Sequence, residues 1–369
     1  MEAITSTSPR TATGPIRVAV IGCGELAQTA HLPLLRRSSD FAIVGIADSN
    51  STALAACATI AKRAQQVTDY HELLTSWVAD AVILSLPTSL HATAAQEAFD
   101  AGLHVYLEKP VAADLAGAKA VRQAWIASGR VGMIGHNYRF NPLYVKLKQM
   151  IASGRIGNPR DARMIFTTSR ALEPTWRDNR ADGGGALLDL GTHHIDMVRY
   201  LFESEVAYVT ATIESRKSEH DHAEVLLELE NDVFAKLTLG FTDGFADRMQ
   251  VIGEAGALFF DRAASLDVEF KAHANTRMSS GEFAAMLPSP RAQAAHLYAK
   301  LRAPYNEPSF GFALKAFGNA IVNGRAASPD IDDGYAALAV IAAAELSSNT
   351  GRRVAVKEAT ESQAPSDVV

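Results

Sequence analysis

The chain has 369 residues, with 35 Lys and Arg against 41 Asp and Glu and a formal net charge of −6. Hydrophobic residues make up 48% of it, which excludes disorder over the main body. The acidic balance argues against partners that need a broad basic surface, such as nucleic acid or an anionic membrane. Only 2 cysteines are present, and no apolar run reaches the roughly 18 residues of a membrane span. We therefore expect a cytoplasmic protein that binds neither metal, nucleic acid nor membrane.

Short apolar segments alternate with helical patterns in the first part of the chain. Segments rich in Val, Ile and Leu predict buried strands at 16–21, 43–47, 81–86, 104–107 and 131–134. Helical patterns lie between them at 52–64, 91–101 and 115–128. Because strands and helices alternate, we predict a doubly wound parallel sheet that is covered on both faces.

The pattern changes after Asn137, where strands follow one another with little helix between them. Strands are predicted at 161–168, 206–215, 222–230, 233–239, 248–252 and 257–260. Helices are predicted at 143–153, 185–201, 310–322 and 332–346. Polar and apolar residues alternate in several of these strands, which indicates an open, mostly antiparallel sheet with one wet face.

These patterns predict two domains with a tail at each end. The first domain spans 16–136, and an α/β domain spans 137–356, whose final helices can pack on either domain. Residues 1–15 are rich in Ser, Thr, Ala and Pro and lack the layout of a secretory signal, so we expect a disordered tail. A second flexible tail is expected at 357–369.

A glycine-rich segment, Gly22-Cys23-Gly24-Glu25-Leu26-Ala27, follows the first strand and opens a helix. Its spacing is typical of a dinucleotide-binding loop, in which the first glycine makes a tight turn and the second lets the backbone approach a pyrophosphate. The helix N-terminus adds partial positive charge for the phosphates. Asp48 ends the second strand, where its carboxylate would bind a ribose and repel a 2′-phosphate. The loop therefore predicts NAD rather than NADP as cofactor.

Glu108-Lys109-Pro110 directly follows the strand at 104–107. Ligands of open α/β sheets bind beyond the carboxyl ends of the strands, so Lys109 is expected near the reacting centre. Its ammonium group can hydrogen-bond a substrate hydroxyl, share the proton and stabilise an alkoxide. Spacing alone does not distinguish this catalytic lysine from a solvated lysine that pairs with Glu108.

A helical segment between the later strands contains Asp189, His193, His194 and Asp196. Asp189 and His193 are four residues apart and so share a helix face, where the carboxylate can orient the imidazole as a general base. His194 points to another face, which argues against a metal site with two histidines. A buried structural histidine stays an alternative.

Three further residues are candidates for a polar substrate pocket. Tyr138 and Arg139 follow the strand at 131–134, and Trp176 lies in a long polar loop. Aromatic and polar side chains together suit a carbohydrate, but the same residues suit the packing of a hinge. The sequence leaves both interpretations open.

Together these motifs resemble the Gfo/Idh/MocA family, the glucose–fructose oxidoreductase and inositol dehydrogenase-like enzymes. The resemblance covers about 16–356, and Thr88 departs from it where relatives often have Asn. The motifs that carry it are the loop at 22–27, Asp48, Leu86-Pro87-Thr88 with His91, Glu108-Lys109-Pro110, and Gly183-Gly184-Gly185 with Asp189, His193 and Asp196.

The resemblance implies a Rossmann domain and an NAD-dependent oxidoreductase that interconverts a secondary alcohol and a ketone on a sugar, cyclitol or sugar derivative. Lys109, His193 and Asp189 would be the catalytic set, in which Asp189 orients His193. Cofactor contacts would come from Gly22, Gly24, Glu25, Leu26, Ala27, Asp48, Leu86, Pro87, Thr88, His91, Glu108 and Lys109. Substrate contacts would come from Lys109, Asp189 and His193, joined by the pocket candidates Tyr138, Arg139 and Trp176.

Two other functions stay open at this point. The same fold can hold NAD tightly and cleave a glycosidic bond by transient oxidation, or it can sense NAD as a regulatory protein without chemistry. Apolar residues also alternate on the outer face of the predicted second sheet, so we expect a homodimer or homotetramer through this face.

Overall fold

The computed structural model of the chain describes residues 14–74, 79–169, 178–242, 244–274 and 289–362. The described residues form two compact units. The first contains those of 1–137, 181–183 and 310–338, and the second contains those of 138–180, 184–309 and 339–369. The predicted N-terminal tail lies outside the described residues up to position 13.

The first unit contains a parallel sheet of six strands in the order β3-β2-β1-β4-β5-β6. This confirms the predicted doubly wound sheet. The strands are β1 (Ile16–Ile21), β2 (Phe41–Ala47), β3 (Gln65–Val67), β4 (Ala81–Leu84), β5 (His104–Leu107) and β6 (Gly132–Ile134). Sequence patterns missed β3 because it has three residues, of which two are exposed.

In the part of the chain that the structure describes, four α-helices lie in the connections between these strands. They are α1 (Leu32–Arg37), α2 (Ser51–Ile60), α3 (Thr88–Asp100) and α4 (Leu115–Ser128). Side chains of Asn50 and Asp114 accept hydrogen bonds from the first N–H groups of α2 and α4, which fixes where these helices begin. Helix α3 begins three residues earlier than predicted, directly after Pro87, which occupies the N-cap position.

The second unit contains a mixed sheet of eight strands in the order β13-β12-β11-β7-β10-β9-β8-β14. The pair β7–β10 is parallel and its other pairs are antiparallel, as predicted for a mostly antiparallel sheet. The strands are β7 (Pro159–Ser169), β8 (Val206–Glu214), β9 (His222–Leu229), β10 (Phe234–Thr242), β11 (Ala246–Gly253), β12 (Gly256–Asp261), β13 (Glu269–Ala272) and β14 (Val354–Ala355).

The helices of the later chain are α5 (Pro142–Ala152), α6 (Thr192–Phe202), α7 (Pro290–Arg302), α8 (Ser309–Asn323), α9 (Ile331–Thr350) and α10 (Val356–Ser362). Helix α7 was not predicted because its buried residues are the polar His296 and Lys300, not an apolar stripe. Of the flexible tail expected at 357–369, residues 357–362 belong to helix α10, and residues 363–369 lie outside the described residues. Within the first unit, Phe317 of α8 packs edge-on against Tyr106 of β5 at 5.7 Å.

Among the described residues, none of the helices combines the length and the apolar composition that a bilayer crossing requires.

Candidate active site

The glycine-rich loop connects β1 to a wide helical turn at Ala27–His31. Gly22 has φ +94°, and a Cβ there would lie 2.1 Å from the carbonyl oxygen of Ser85. A Cβ at Gly24 would meet nothing within 4 Å. The first glycine is therefore required by the protein itself, whereas the second leaves open surface that a ligand can approach. This open surface beside a helix N-terminus fits a pyrophosphate.

The Asp48 carboxylate is fixed at the carboxyl end of β2. One oxygen, Oδ2, accepts a hydrogen bond from the N–H of Cys23 in the loop (2.7 Å), and Oδ1 accepts one from the N–H of Asn50 (2.7 Å). Each carboxylate oxygen has a second lone-pair site, so both can still bind ribose hydroxyls. The position and the chemistry of Asp48 therefore fit the adenosine ribose of NAD.

Replacing Asp48 by alanine is expected to weaken NAD binding about tenfold or more, because hydrogen bonds to a charged acceptor are lost. NADP binding should weaken less, because the 2′-phosphate is no longer repelled. Dissociation constants for both cofactors, measured by calorimetric titration, check this expectation. Asp48→Asn keeps the shape and removes the charge, and an unchanged NAD to NADP ratio in both variants would contradict the role of Asp48.

Glu108 is held inside the first unit by a buried histidine. Nε2 of His31 lies 2.9 Å from Oε1 of Glu108, and both side chains are buried. On the other side, a Cβ at Gly135 would lie 2.7 Å from Oε2 of Glu108, so only a glycine leaves room for the carboxylate. A cofactor contact of Glu108 stays a prediction, and the structure adds that His31 fixes the residue before Lys109.

His91 connects the loops that follow β4 and β5. Its Nε2 lies 2.8 Å from the carbonyl oxygen of Leu86, and its Nδ1 lies 2.6 Å from that of Pro110. Burial lowers the pKa of His91, although both carbonyl oxygens favour its protonated form. His91 thus ties together the main chain on both loops, and its direct contact with the cofactor stays a prediction. Lys109 lies between Glu108 and Pro110, which two buried histidines hold.

Thr88, the departure from the family pattern, is buried at the start of α3. A Cβ at Gly183 would lie 2.3 Å from the Cβ of Thr88, and Gly183 has φ +93°. Gly183 therefore approaches Thr88 closely within the first unit, which explains why a glycine is needed at this position.

The histidine helix of the second unit begins with a wide turn, not with the regular helix that its spacing predicted. Residues 187–191 form a single π-helical turn, which α6 continues to Phe202. The Thr192 hydroxyl donates a hydrogen bond to the carbonyl oxygen of Leu188, one turn earlier in the same helical segment. Asp189 and His193 lie in this segment and are both buried. Such turns are frequent at functional sites.

Tyr138 is brought directly onto His193. The two rings are stacked with their centroids 4.2 Å apart and an interplanar angle of 11°. Burial raises the pKa of Tyr138 well above its ordinary value, and its hydroxyl donates to Oδ2 of Asp247 at 2.9 Å. The Tyr138 hydroxyl is therefore already hydrogen-bonded inside the protein. A substrate contact of Tyr138 stays a prediction.

Arg139 forms a buried ion pair with Asp196, three residues beyond His193. Nε and one terminal nitrogen of the guanidinium bind the two carboxylate oxygens at 2.9 and 2.6 Å. This arrangement neutralises Arg139 and gives the Asp196 of the motif a structural role. A substrate contact by Arg139 stays a prediction, and Trp176 lies outside the described residues.

Sequence patterns missed three charged residues that form a connected group next to His194 of α6: Asp247, Arg262 and Glu307. Arg262 binds both carboxylates, at 2.6 Å in each case. One signal was available, because Asp247 occupies an inward-facing position of β11 in register with buried Met249 and Val251. An acidic residue at such a position needs a buried partner. The spacing of the three residues along the chain gives no such signal.

Comparisons with known proteins agree with this geometry. Residues 16–136 match the profile described as oxidoreductase family, NAD-binding Rossmann fold, and residues 144–259 match the GFO/IDH/MocA C-terminal domain. The chain is 28% identical over 341 residues to the inositol 2-dehydrogenase of Acidothermus cellulolyticus, covering 89% of this chain and 92% of the relative. It is 31% identical over 255 residues to the dTDP-3,4-didehydro-2,6-dideoxy-alpha-D-glucose 3-reductase of Actinomadura kijaniata, covering 67% and 75%.

A solved structure extends the similarity to nearly the whole fold. It is the WlbA dehydrogenase from Bordetella pertussis in complex with NADH and UDP-GlcNAcA, which has a TM-score of 0.81 and 21% identity. The match covers 94% of this chain and 99% of that chain. The chain therefore belongs to the Gfo/Idh/MocA family of oxidoreductases, and its first unit contains the NAD-binding Rossmann fold of that family.

Proposed function

We propose that this enzyme reversibly oxidises a secondary alcohol to a ketone on a sugar, a cyclitol or a sugar derivative. The placement of Lys109 carries the proposal. It lies two residues beyond the end of a parallel strand, where ligands of such sheets bind. His31 holds the residue before it and His91 holds the carbonyl of the residue after it. A lysine fixed in this way is preorganised to bind a reacting oxygen.

The proton-handling roles follow from the chemistry of the side chains. Bound NAD would accept hydride from the carbinol carbon. Lys109 donates a hydrogen bond to the substrate oxygen and stabilises negative charge on it as its proton leaves. His193 accepts the hydroxyl proton, and Asp189 orients the His193 imidazole within the same helical segment. The names of the relatives, which act on inositol and on a deoxysugar nucleotide, support a polyhydroxylated substrate.

A substrate screen tests the proposal. The purified enzyme is incubated with NAD and one member of a panel of inositols, aldoses, amino sugars and deoxy sugars, and NADH absorbance is recorded. Turnover with accumulation of NADH on at least one compound supports the proposal. In a parallel assay with glycosides of these sugars, cleavage without accumulation of NADH would indicate the glycosidase that works by transient oxidation. Tight binding of NAD without any product would overturn the proposed reaction.

We also propose that the enzyme pairs with a second copy through the outer face of the second sheet. This face carries large apolar side chains that are more than a third exposed. They are Ile165, Tyr208, Leu226, Phe234 and Phe259. An exposed apolar surface of this kind on one sheet is typical of an interface between subunits.

The double substitution Ile165→Lys with Leu226→Lys is expected to convert the oligomer to a monomer, because two charges would be buried without partners. Light scattering after size-exclusion chromatography measures the mass. Ile126→Lys changes an equally apolar exposed residue on α4 of the first unit and serves as control. A double variant that keeps the wild-type mass would contradict this assembly, as would a monomeric wild type.

A further inference from the structure

Three aromatic rings are stacked in sequence in the second unit. The Tyr144 and Tyr138 rings have centroids 5.4 Å apart and are inclined by 20°, and the Tyr138 and His193 rings follow at 4.2 Å and 11°. The imidazole of His193 is therefore nearly parallel to the ring of Tyr138. The orientation of Tyr138 sets the plane of this imidazole, and with it the direction in which the ring nitrogens point.

Asp247 fixes the orientation of Tyr138. Oδ2 of Asp247 accepts the hydrogen bond from the Tyr138 hydroxyl at 2.9 Å and a second one from Nε of Arg262 at 2.6 Å. The Arg262 guanidinium also lies over the Tyr138 ring, 4.6 Å from its centroid. Tyr138 is thus held both at its hydroxyl and at its ring face, by two residues that bind each other.

Asp247 also contacts the histidine helix directly. Its Oδ1 lies 3.3 Å from Nε2 of His194, the neighbour of His193 in the chain. His194 is fully buried, so this contact holds the helix backbone next to His193. One carboxylate therefore acts on His193 from two sides, through a stacked ring and through the adjacent residue.

The carboxylate that makes these contacts stays ionised. Burial alone would raise the pKa of Asp247, but the Arg262 charge and the hydrogen bond from His194 outweigh burial and lower the pKa to about 2. Arg262 is itself held by Glu307 at 2.6 Å, and the Asn141 amide donates to Glu307 at 2.9 Å. The network is buried and connected, which makes its geometry rigid.

We propose that Asp247 is a positioning residue for His193, and that it acts through the Tyr138 ring and through His194. The inference rests on the proposed function, which assigns proton transfer to His193. Asp247 would keep the imidazole in the orientation in which it can accept the substrate proton. A small displacement of a proton-transfer group lowers the rate of the chemical step without a matching loss of binding.

Tyr138→Phe and Tyr144→Phe form a matched pair of variants. Both rings are buried and both substitutions remove one hydroxyl. The Tyr138 hydroxyl binds Asp247, whereas the Tyr144 hydroxyl has no hydrogen-bond partner among the residues that the structure describes. A general effect of losing a buried hydroxyl would therefore show in both variants, and an effect of the Asp247 contact in the first alone.

The first readout is nuclear magnetic resonance of the histidine side chains in the whole enzyme, with the His193 signals assigned from His193→Asn. The ring current of Tyr138 shifts the carbon-bound protons of a stacked imidazole upfield. We expect Tyr138→Phe and Asp247→Asn to change this shift, and Tyr144→Phe to preserve it. Because this readout needs no substrate, it reports on the position of His193 even if the proposed reaction is wrong.

The second readout is steady-state kinetics on the substrate that the polyol screen identifies. Tyr138→Phe is expected to lower kcat on the order of tenfold, with KM for NAD within about twofold of wild type. Unchanged His193 signals, an unchanged kcat, or equal effects of the two tyrosine variants would each overturn the proposal. His193→Asn separates the role of His193 in proton transfer from its positioning by Asp247. If this variant retains full kcat, the role in proton transfer fails. The His193 shifts of the Tyr138→Phe and Asp247→Asn enzymes still measure the positioning.

Discussion

Replacing Lys109 by alanine is expected to lower kcat by roughly 10²–10⁴-fold, because the variant loses the group that exchanges the substrate proton. The flanking contacts, His31 with Glu108 and His91 with Pro110, do not use the Lys109 side chain. The fold around the site should therefore persist, and the melting temperature of the variant should stay close to that of the wild type. Stopped-flow measurement of NADH formation separates the chemical step from product release.

Lys119→Ala is the matched control for this experiment. Lys119 is an exposed lysine of α4 in the same unit, and its loss should leave kcat unchanged. A Lys109→Ala enzyme that keeps kcat within about threefold of wild type would contradict proton transfer by Lys109. A drop in both variants would point to charge on the first unit in general, and not to a group at the reacting centre.

Two glycines of the same loop are expected to respond in opposite ways to alanine. In Gly22→Ala the new Cβ would lie 2.1 Å from the main-chain oxygen of Ser85 at a φ of +94°, so we expect a loss of about 3 kcal/mol of stability without cofactor. In Gly24→Ala the new Cβ meets nothing within 4 Å, so the stability of the free enzyme should be unchanged. Its NAD affinity should fall about tenfold or more, because the methyl group occupies the approach of the pyrophosphate.

Thermal unfolding of each variant with and without NAD measures both effects. Gly22→Ala should unfold at a lower temperature than wild type in the absence of NAD. Gly24→Ala should match wild type without NAD and gain less from adding it. If Gly24→Ala retains full stabilisation by NAD, then the cofactor does not approach the loop at this position.

Local patterns in the sequence were sufficient for most of the parallel sheet of the first unit, with β3 as the exception. Strands β1 and β5 consist mainly of apolar residues, and Asp114 caps α4, the helix that follows β5; both are properties of neighbouring residues. The loop at 22–27 and Asp48 could be predicted as a cofactor site because the chemistry of such a site depends on fixed spacing within one strand–helix–strand unit.

The supporting contacts of the site were not predictable in the same way. Glu108 and His31 are 77 positions apart in the chain, and Tyr138 and Asp247 are 109 apart. A single sequence contains no pattern that links residues over such separations, so the pairs become visible only when the fold brings them together. Arg139 illustrates the consequence: its charge suggested a substrate contact, but Asp196 neutralises it within the protein.

The wide turn at 187–191 was missed for a related reason. Residues 187–191 are all buried, so the segment has no apolar stripe from which a wider turn could be distinguished from a regular helix. The close approach of Gly191 to Leu239, where a Cβ would lie 2.8 Å from a side-chain methyl, depends on a strand that comes later in the chain.

Deuterium transfer tests the central claim most directly. The wild-type enzyme is given NAD and the identified polyol, deuterated at the carbon that is oxidised, and mass spectrometry follows the label. We expect deuterium to appear in the reduced cofactor in step with ketone formation, and the Lys109→Ala enzyme to form both far more slowly. Ketone formation without deuterium in the cofactor, or deuterium that returns to the original carbon of a cleaved product, would contradict a dehydrogenase that releases ketone and NADH.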